Sequence, residues 1–222
     1  MLRSAVRLLP GLILALLVLV VSALPGQALT TPLPGAVPLP QGVNLMLPFP
    51  AGANVRILSG YGPGMGSSLH QDTDATNKAN DHYALDMDYA GQPNGGLGLP
   101  LVAALPGTVV RAGWATSGWA NYGLRVILRH DLGDGHVYHS LYAHMNAIDP
   151  AIVEGATVTQ GQVLGELGRS CQGALSCGSF SAPHIHFALH RNSTVGGSGT
   201  GGPYGGNAAV PEPIDGYGGL AP

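Results

Sequence analysis

The middle of the chain alternates. Between residues 51 and 192, short runs of apolar and polar positions with period two are broken by Gly, Pro, Asp and Asn. Period two puts successive side chains on opposite faces of a strand, so these runs predict β-strands. Val55–Leu58 is one, stopped by Ser59-Gly60-Tyr61-Gly62-Pro63-Gly64. Tyr83–Tyr89 is a second. Leu101–Ala104 and Thr108–Ala112 flank the turn signal Pro106-Gly107. Leu124–His130 and His136–His144 flank Asp134-Gly135, a hairpin signal between two β runs. Thr157-Val158 and Val163–Leu167 flank a short reversal at Thr159-Gln160-Gly161-Gln162.

One run, Pro183-His184-Ile185-His186-Phe187, carries two imidazoles. In a strand, His184 and His186 share a face about 7 Å apart. Ile185, Phe187 and Leu189 fall on the opposite face and can enter a core.

Composition agrees with strands rather than helices. The 222 residues include 35 Gly and 18 Pro, and both are poor in helix interiors. The fold expected is all-β: a small antiparallel sheet core, barrel- or sandwich-like, with long loops. Few or no helices are expected apart from the N-terminal segment. The net charge is −3 and Lys78 is the sole lysine, so no basic stripe exists for nucleic acid.

The ends read differently from the middle. Arg3 and Arg7 precede an unbroken apolar run, Leu12 to Val21, followed by small residues suited to cleavage. Residues 1–28 are therefore expected to be a signal peptide, with export to the envelope or medium. An uncleaved membrane anchor is the alternative; the apolar run is short for the roughly 20 residues a span needs. Residues 29–50 carry repeated Pro and read as a linker. Residues 193–222 form a Gly/Pro-rich tail. In an exported chain the two cysteines, Cys171 and Cys177, are expected to form a disulfide.

Histidine is over-used for so few charges: nine, with three groups that suggest chemistry. These are His82-Tyr83-Ala84-Leu85-Asp86 with His70 upstream, Tyr142-Ala143-His144, and His184-Ile185-His186. A carboxylate and two imidazoles make a frequent catalytic zinc set, leaving a fourth position for water. Spare imidazoles beside it can move the proton or hold an oxyanion.

In this order and with these spacers, the motifs resemble the lysostaphin-type (LytM-like) zinc endopeptidases that cleave peptide cross-links of bacterial peptidoglycan. The resemblance runs from about Leu47 to Arg191. It includes Gly98-Leu99-Pro100-Leu101-Val102, Asn121-Tyr122-Gly123 and Gly155–Gly165. It implies one zinc ion, held by Asp86 and His186, with His144 and His184 acting in catalysis. The family's common His-x-Gly-x-Asp form corresponds to His82 through Asp86, with Ala84 where the family has Gly. Four residues of straight strand span about 13 Å, too far to share an ion. Some relatives bring this ligand from a loop further upstream, a place His70 can fill. The third ligand is therefore His82 or His70.

The resemblance also implies Tyr61 as a hydrogen-bond donor to the oxyanion, and Asn121 is placed at the cleft, with a turn role as the alternative. His130, His136, His139 and His190 are read as structural or surface residues, His139 on the face of its strand opposite His144. Peptidoglycan peptide is the expected substrate and a monomer the expected state; the membrane enters only if the N-terminal segment is uncleaved. Two other readings compete. One is a non-catalytic LytM-like domain that binds or activates wall hydrolases. The other is a lipoyl-type carrier domain, which needs a lysine on a β-turn; Lys78 lies far from the hairpin around Gly161.

Overall fold

A computed structural model describes residues 37–61, 70, 81–116, 119–177, 182–195, 203–204 (backbone) and 207–216. The expected signal peptide, residues 1–28, lies outside them. Among the described residues no helix is long and apolar enough to cross a membrane.

The protein is all-β, as the alternation predicts, with two short 3-10 turns at Pro93–Gly96 and Ala120–Tyr122. In chain order the strands are β1 (Val55–Ser59), β2 (Leu85–Tyr89), β3 (Pro100–Val102), β4 (Gly107–Trp114), β5 (Leu124–Asp131), β6 (Val137–Met145) and β7 (Ala147–Ile148). There follow β8 (Thr157–Val158), β9 (Val163–Glu166), β10 (Ile185–Arg191), β11 (Thr194–Val195), β12 (Pro203–Tyr204) and β13 (Asn207–Ala209). The main sheet runs β1-β2-β10-β6-β5-β4-β8, with β13 also paired to β10. A smaller sheet runs β3-β9-β7, and β11 pairs with β12. The ladders within these sheets are antiparallel.

The hairpin signal at Asp134-Gly135 joins β5 to β6. The other two turn signals do something different. Strands on either side of Pro106-Gly107, and on either side of Gly161, enter different sheets rather than pairing with each other. These turns are corners that fold the small sheet over the large one. Local turn chemistry specifies a reversal; which strand is paired next is set by burial of both sheet faces.

The main core lies between the two sheets. Met87 (β2), Ile185 and Phe187 (β10), Tyr142 (β6) and Val126 (β5) meet Leu101 and Leu164 of the small sheet in one buried cluster. Phe187 and Tyr142, cross-strand partners, pack with ring centroids 5.3 Å apart. The segment read from sequence as a linker contributes too: Leu45 and Phe49 are buried in this cluster. Val37 bridges Ala209 and Leu45 bridges Ile214, so residues 37–50 and 207–216 run beside each other against the domain. Apolar residues spaced among the prolines supply the reason, because burying Leu45 and Phe49 removes hydrocarbon from water at about 25 cal/mol per Å².

His130 is a structural histidine, as its sequence context suggests. It is buried between Pro106, whose carbonyl lies 2.7 Å from Nδ1, and Ser140, whose Oγ lies 2.8 Å from Nε2. Burial pushes it down to about 4, against which the Pro106 carbonyl is a smaller effect. The stabilisation carried by neutral His130 is therefore complete above the unfolded value of about 6.5 and is lost as pH falls toward 4. Between pH 7.5 and 5.0 this residue is expected to cost about 2 kcal/mol of stability, from ~1.5 units at 1.36 kcal/mol each. Urea unfolding of wild type and His130→Asn at both pH values measures it. Equal pH slopes in the two proteins would contradict the assignment.

Candidate metal and catalytic site

The face of the main sheet away from the small sheet carries the chemistry. Directly paired residues share a face, and Asp86 pairs with His186 across β2 and β10. His186 also pairs with Ala143, Ala188 with Leu141, and His190 with His139. His139 is thus on the site face, the reverse of the expectation from alternation counted back from His144. The reason is a β-bulge. Leu124 pairs with Met145 and Val126 with Tyr142, so Ala143 and His144 oppose the single residue Arg125. His144 takes φ 63°, a left-handed conformation rare for a residue with a Cβ. Strict alternation would set His144 on the core face with Tyr142. The bulge instead brings its ring to 4.9 Å from that of His184 and 6.0 Å from that of His186.

Three side chains meet beside these imidazoles. His70 Nε2 lies 3.4 Å from Asp86 Oδ2, and His186 Nδ1 lies 3.1 Å from Asp86 Oδ1. Among the described residues, His70, Asp86 and His186 form one group whose ligand atoms all fall within 4.8 Å of one another. Tetrahedral zinc with bonds of about 2.0–2.1 Å sets neighbouring ligand atoms roughly 3.3 Å apart. The donor set and its separations fit such an ion. Asp88, two residues along β2, is taken by Arg56 at 2.5 and 3.0 Å, which leaves Asp86 as the carboxylate of this strand facing the histidines.

His82 is elsewhere. The peptide N–H of Ala84 donates to the Asp81 carbonyl at 2.8 Å, closing a turn immediately before β2. Within that turn the His82 ring packs edge-on against Tyr83, 4.6 Å between centroids. Asp81, at the first turn position that Asp favours, sends its carboxylate back to the site. Its Oδ2 lies 3.3 Å from His186 Nε2 and accepts a short hydrogen bond from the Tyr122 hydroxyl; its Oδ1 lies 3.3 Å from His190 Nε2.

A single loop, residues 168–171, sets the two other histidines. His144 Nδ1–H donates to the Ser170 carbonyl at 2.9 Å. The Ser170 N–H returns to the His144 carbonyl at 3.2 Å, and the His184 N–H donates to the Gly168 carbonyl at 2.9 Å. Ser170 Oγ accepts from the Leu124 N–H at 2.8 Å. Gly123 makes this approach possible: it has φ +63°, and a Cβ there would meet the Ser170 carbonyl oxygen at 2.2 Å. The Cys171–Cys177 disulfide follows directly, and Gln172 in its loop donates to Asn121 Oδ1 at 2.8 Å. Asn121 is exposed and ties that loop to the 3-10 turn. Tyr61 is buried and its hydroxyl donates to Glu212 at 2.7 Å, so this donor is committed to the C-terminal segment.

Electrostatics follow from this crowding. Burial opposes charge on His186, but Asp81 and Asp86 on either side overcome it and raise the ring to about 10. Burial likewise opposes ionisation of Asp86, yet His186, His70 and His184 hold its carboxyl down at about 2. Burial, then the neighbouring His184 and His186, push His144 down to about 3. His184 Nδ1–H donates to the Ala182 carbonyl at 2.7 Å. His144 and His184 thus both spend Nδ1 on a backbone carbonyl, leaving Nε2 as the atom able to take a proton.

A protein-family model described as Peptidase family M23 matches residues 82–196, just over half of the 222-residue chain. The chain belongs to peptidase family M23. The matched segment contains Asp86, His144, His184 and His186 and begins at His82; His70 precedes it. An L-Ala–D-Glu endopeptidase of Bacillus subtilis (strain 168) is 30% identical over 96 residues, which is 43% of this chain and 27% of that protein. The chain therefore matches about a quarter of the length of this curated relative. Lysostaphin is similar at 24% identity and TM-score 0.46, over 75% of this chain and 55% of that one. The catalytic domain of the prophage-encoded M23 protein EnpA from Enterococcus faecalis is similar at 24% identity and TM-score 0.43, over 79% and 98%.

Asp81, Tyr122 and the Ser170 carbonyl are the parts of the site that reading the sequence missed. Asp81 carried a readable signal: an Asp opening the Asp81–Ala84 turn beside a metal-type motif. The Ser170 carbonyl carried none, since a backbone acceptor has no residue signature.

Proposed function

We propose that this M23 chain is a zinc-dependent endopeptidase that hydrolyses peptide cross-links of bacterial peptidoglycan. The observation that carries it is the convergence of His70, Asp86 and His186 at zinc-ligand separations, with His144 and His184 beside them presenting Nε2. His70 Nε2, one Asp86 oxygen and His186 Nδ1 are the atoms that would hold the ion. The chemistry a bound zinc supplies is polarisation of the scissile carbonyl and acidification of a water molecule to a pKa near ~7. Taking that water's proton, and returning one to the leaving amine, falls to His144 and His184. Whichever ring is not the base holds the tetrahedral oxyanion only as an imidazolium, with a proton on Nε2 to donate. Their backbone-anchored Nδ1–H groups fix ring orientation, so little reorganisation precedes proton transfer. A D-amino-acid-containing peptide, of the kind found in peptidoglycan, is supported as substrate by the name of the Bacillus relative, an L-Ala–D-Glu endopeptidase. Export, needed to reach that substrate, belongs to the same reading and rests on Arg3, Arg7 and the apolar run Leu12 to Val21.

The test uses purified protein, zinc analysis and peptidoglycans of different bridge chemistry, with mass spectrometry of the released fragments. Stoichiometric zinc and chelator-sensitive release of peptides with new amino termini are expected. Bound zinc with no release from any wall type would overturn the catalytic reading and leave a wall-binding or hydrolase-activating domain.

A further inference from the structure

Asp81 has no part in the reading above, yet its carboxylate is crowded by side chains of the site. Three groups converge on its carboxylate: His186 Nε2 at 3.3 Å, His190 Nε2 at 3.3 Å and the Tyr122 hydroxyl. His190 is fully buried, and His186 is buried apart from a small edge. Tyr122 is braced in turn by Trp119, stacked 5.8 Å away at an interplanar angle of 9°.

The two nitrogens of His186 therefore face two different carboxylates. Nδ1 looks at Asp86 and the His70 group; Nε2 looks at Asp81. A neutral imidazole has one N–H and one lone pair, and a metal takes the lone pair. An acceptor opposite one nitrogen selects the tautomer that leaves the other free. Metal-bound histidines commonly use a carboxylate for this, and it also fixes the ring plane.

We propose that Asp81 is a positioning residue of the metal centre, accepting the Nε2–H of His186 so that Nδ1 presents its lone pair toward Asp86 and His70. The inference rests on the metal reading of His70, Asp86 and His186. Oδ2 accepts from the Tyr122 hydroxyl and lies 3.3 Å from His186 Nε2, while Oδ1 lies 3.3 Å from His190 Nε2; among the described residues neither imidazole nitrogen has another hydrogen-bond partner. His190 and Tyr122 hold Asp81, and Asp81 holds His186.

The experiment follows zinc and the tautomer, not turnover. The full chain, labelled with 15N, is loaded with zinc, and the His186 ring nitrogens are assigned from long-range proton–nitrogen correlations. Zinc affinity is measured by competition with a chromophoric chelator for wild type, Asp81→Asn and Asp81→Ala, and thermal unfolding checks each fold. Nε2 protonated and Nδ1 metal-bound is the expected wild-type pattern. Asp81→Ala should weaken zinc roughly ten- to hundredfold. Asp81→Asn should recover most of that, because its amide oxygen can take the His186 and Tyr122 side while its NH2 faces His190. A wild-type ring bound through Nε2 overturns the proposal without any variant, which covers the case where Asp81→Ala does not fold. Equal zinc affinity in all three proteins overturns it as well. Wild type that binds no zinc at all fails the metal reading itself, a result distinct from either.

Discussion

His70→Ala is expected to strip zinc from the protein and abolish peptide release, whereas His82→Ala keeps the metal. His82 occupies the family's usual motif position and stands at the first residue of the matched segment. Its ring nevertheless packs against Tyr83, within the turn that precedes β2. His70 is buried with Nε2 3.4 Å from Asp86, and its ring centroid is 5.0 Å from that of His186. Removing one of the three proposed protein ligands should cost more than the roughly 10- to 100-fold typical of an outer-shell partner. Chelator competition and metal analysis on the two variants decide the matter. Zinc lost from His82→Ala and retained in His70→Ala would reverse the assignment.

The second large effect is on turnover with the metal in place. His144→Ala and His184→Ala should each retain stoichiometric zinc and lower kcat/KM by about 10² to 10⁴, the range for a general acid or base. Neither ring is among the three that converge at ligand separations, and each spends Nδ1 on a backbone carbonyl. Loss in the double variant is expected to fall well short of the product of the single losses, since both rings serve one transition state. Full activity in either zinc-loaded single variant would remove that residue from the mechanism.

Several parts of this site were legible because they depend on local rules. His184 and His186 share a face by strand periodicity alone, and Ile185 and Phe187 reach the core by the same rule. The Asp134-Gly135 hairpin is equally local. Counting by two failed at His144. One extra residue in a bulge reverses the parity of everything beyond it, and no side chain announces where a bulge falls. It misplaced His139 for the same reason. Tyr61 and Asn121 were drawn toward the site by motif position, but the partners that engage them, Glu212 and Gln172, come from distant stretches of chain.

By itself the sequence determined the all-β class, most of the strands, the metal-type residues and the motif order that places it in its family. The strands and the individual motifs are carried by spacing within a few residues. The tertiary structure decided which histidine joins Asp86 and His186, that a bulge turns His144 onto their face, and that Asp81 stands behind His186. Those are contacts between segments brought together by sheet pairing. Their distances depend on where each loop lands on the sheet, and short-range periodicity carries no information about that.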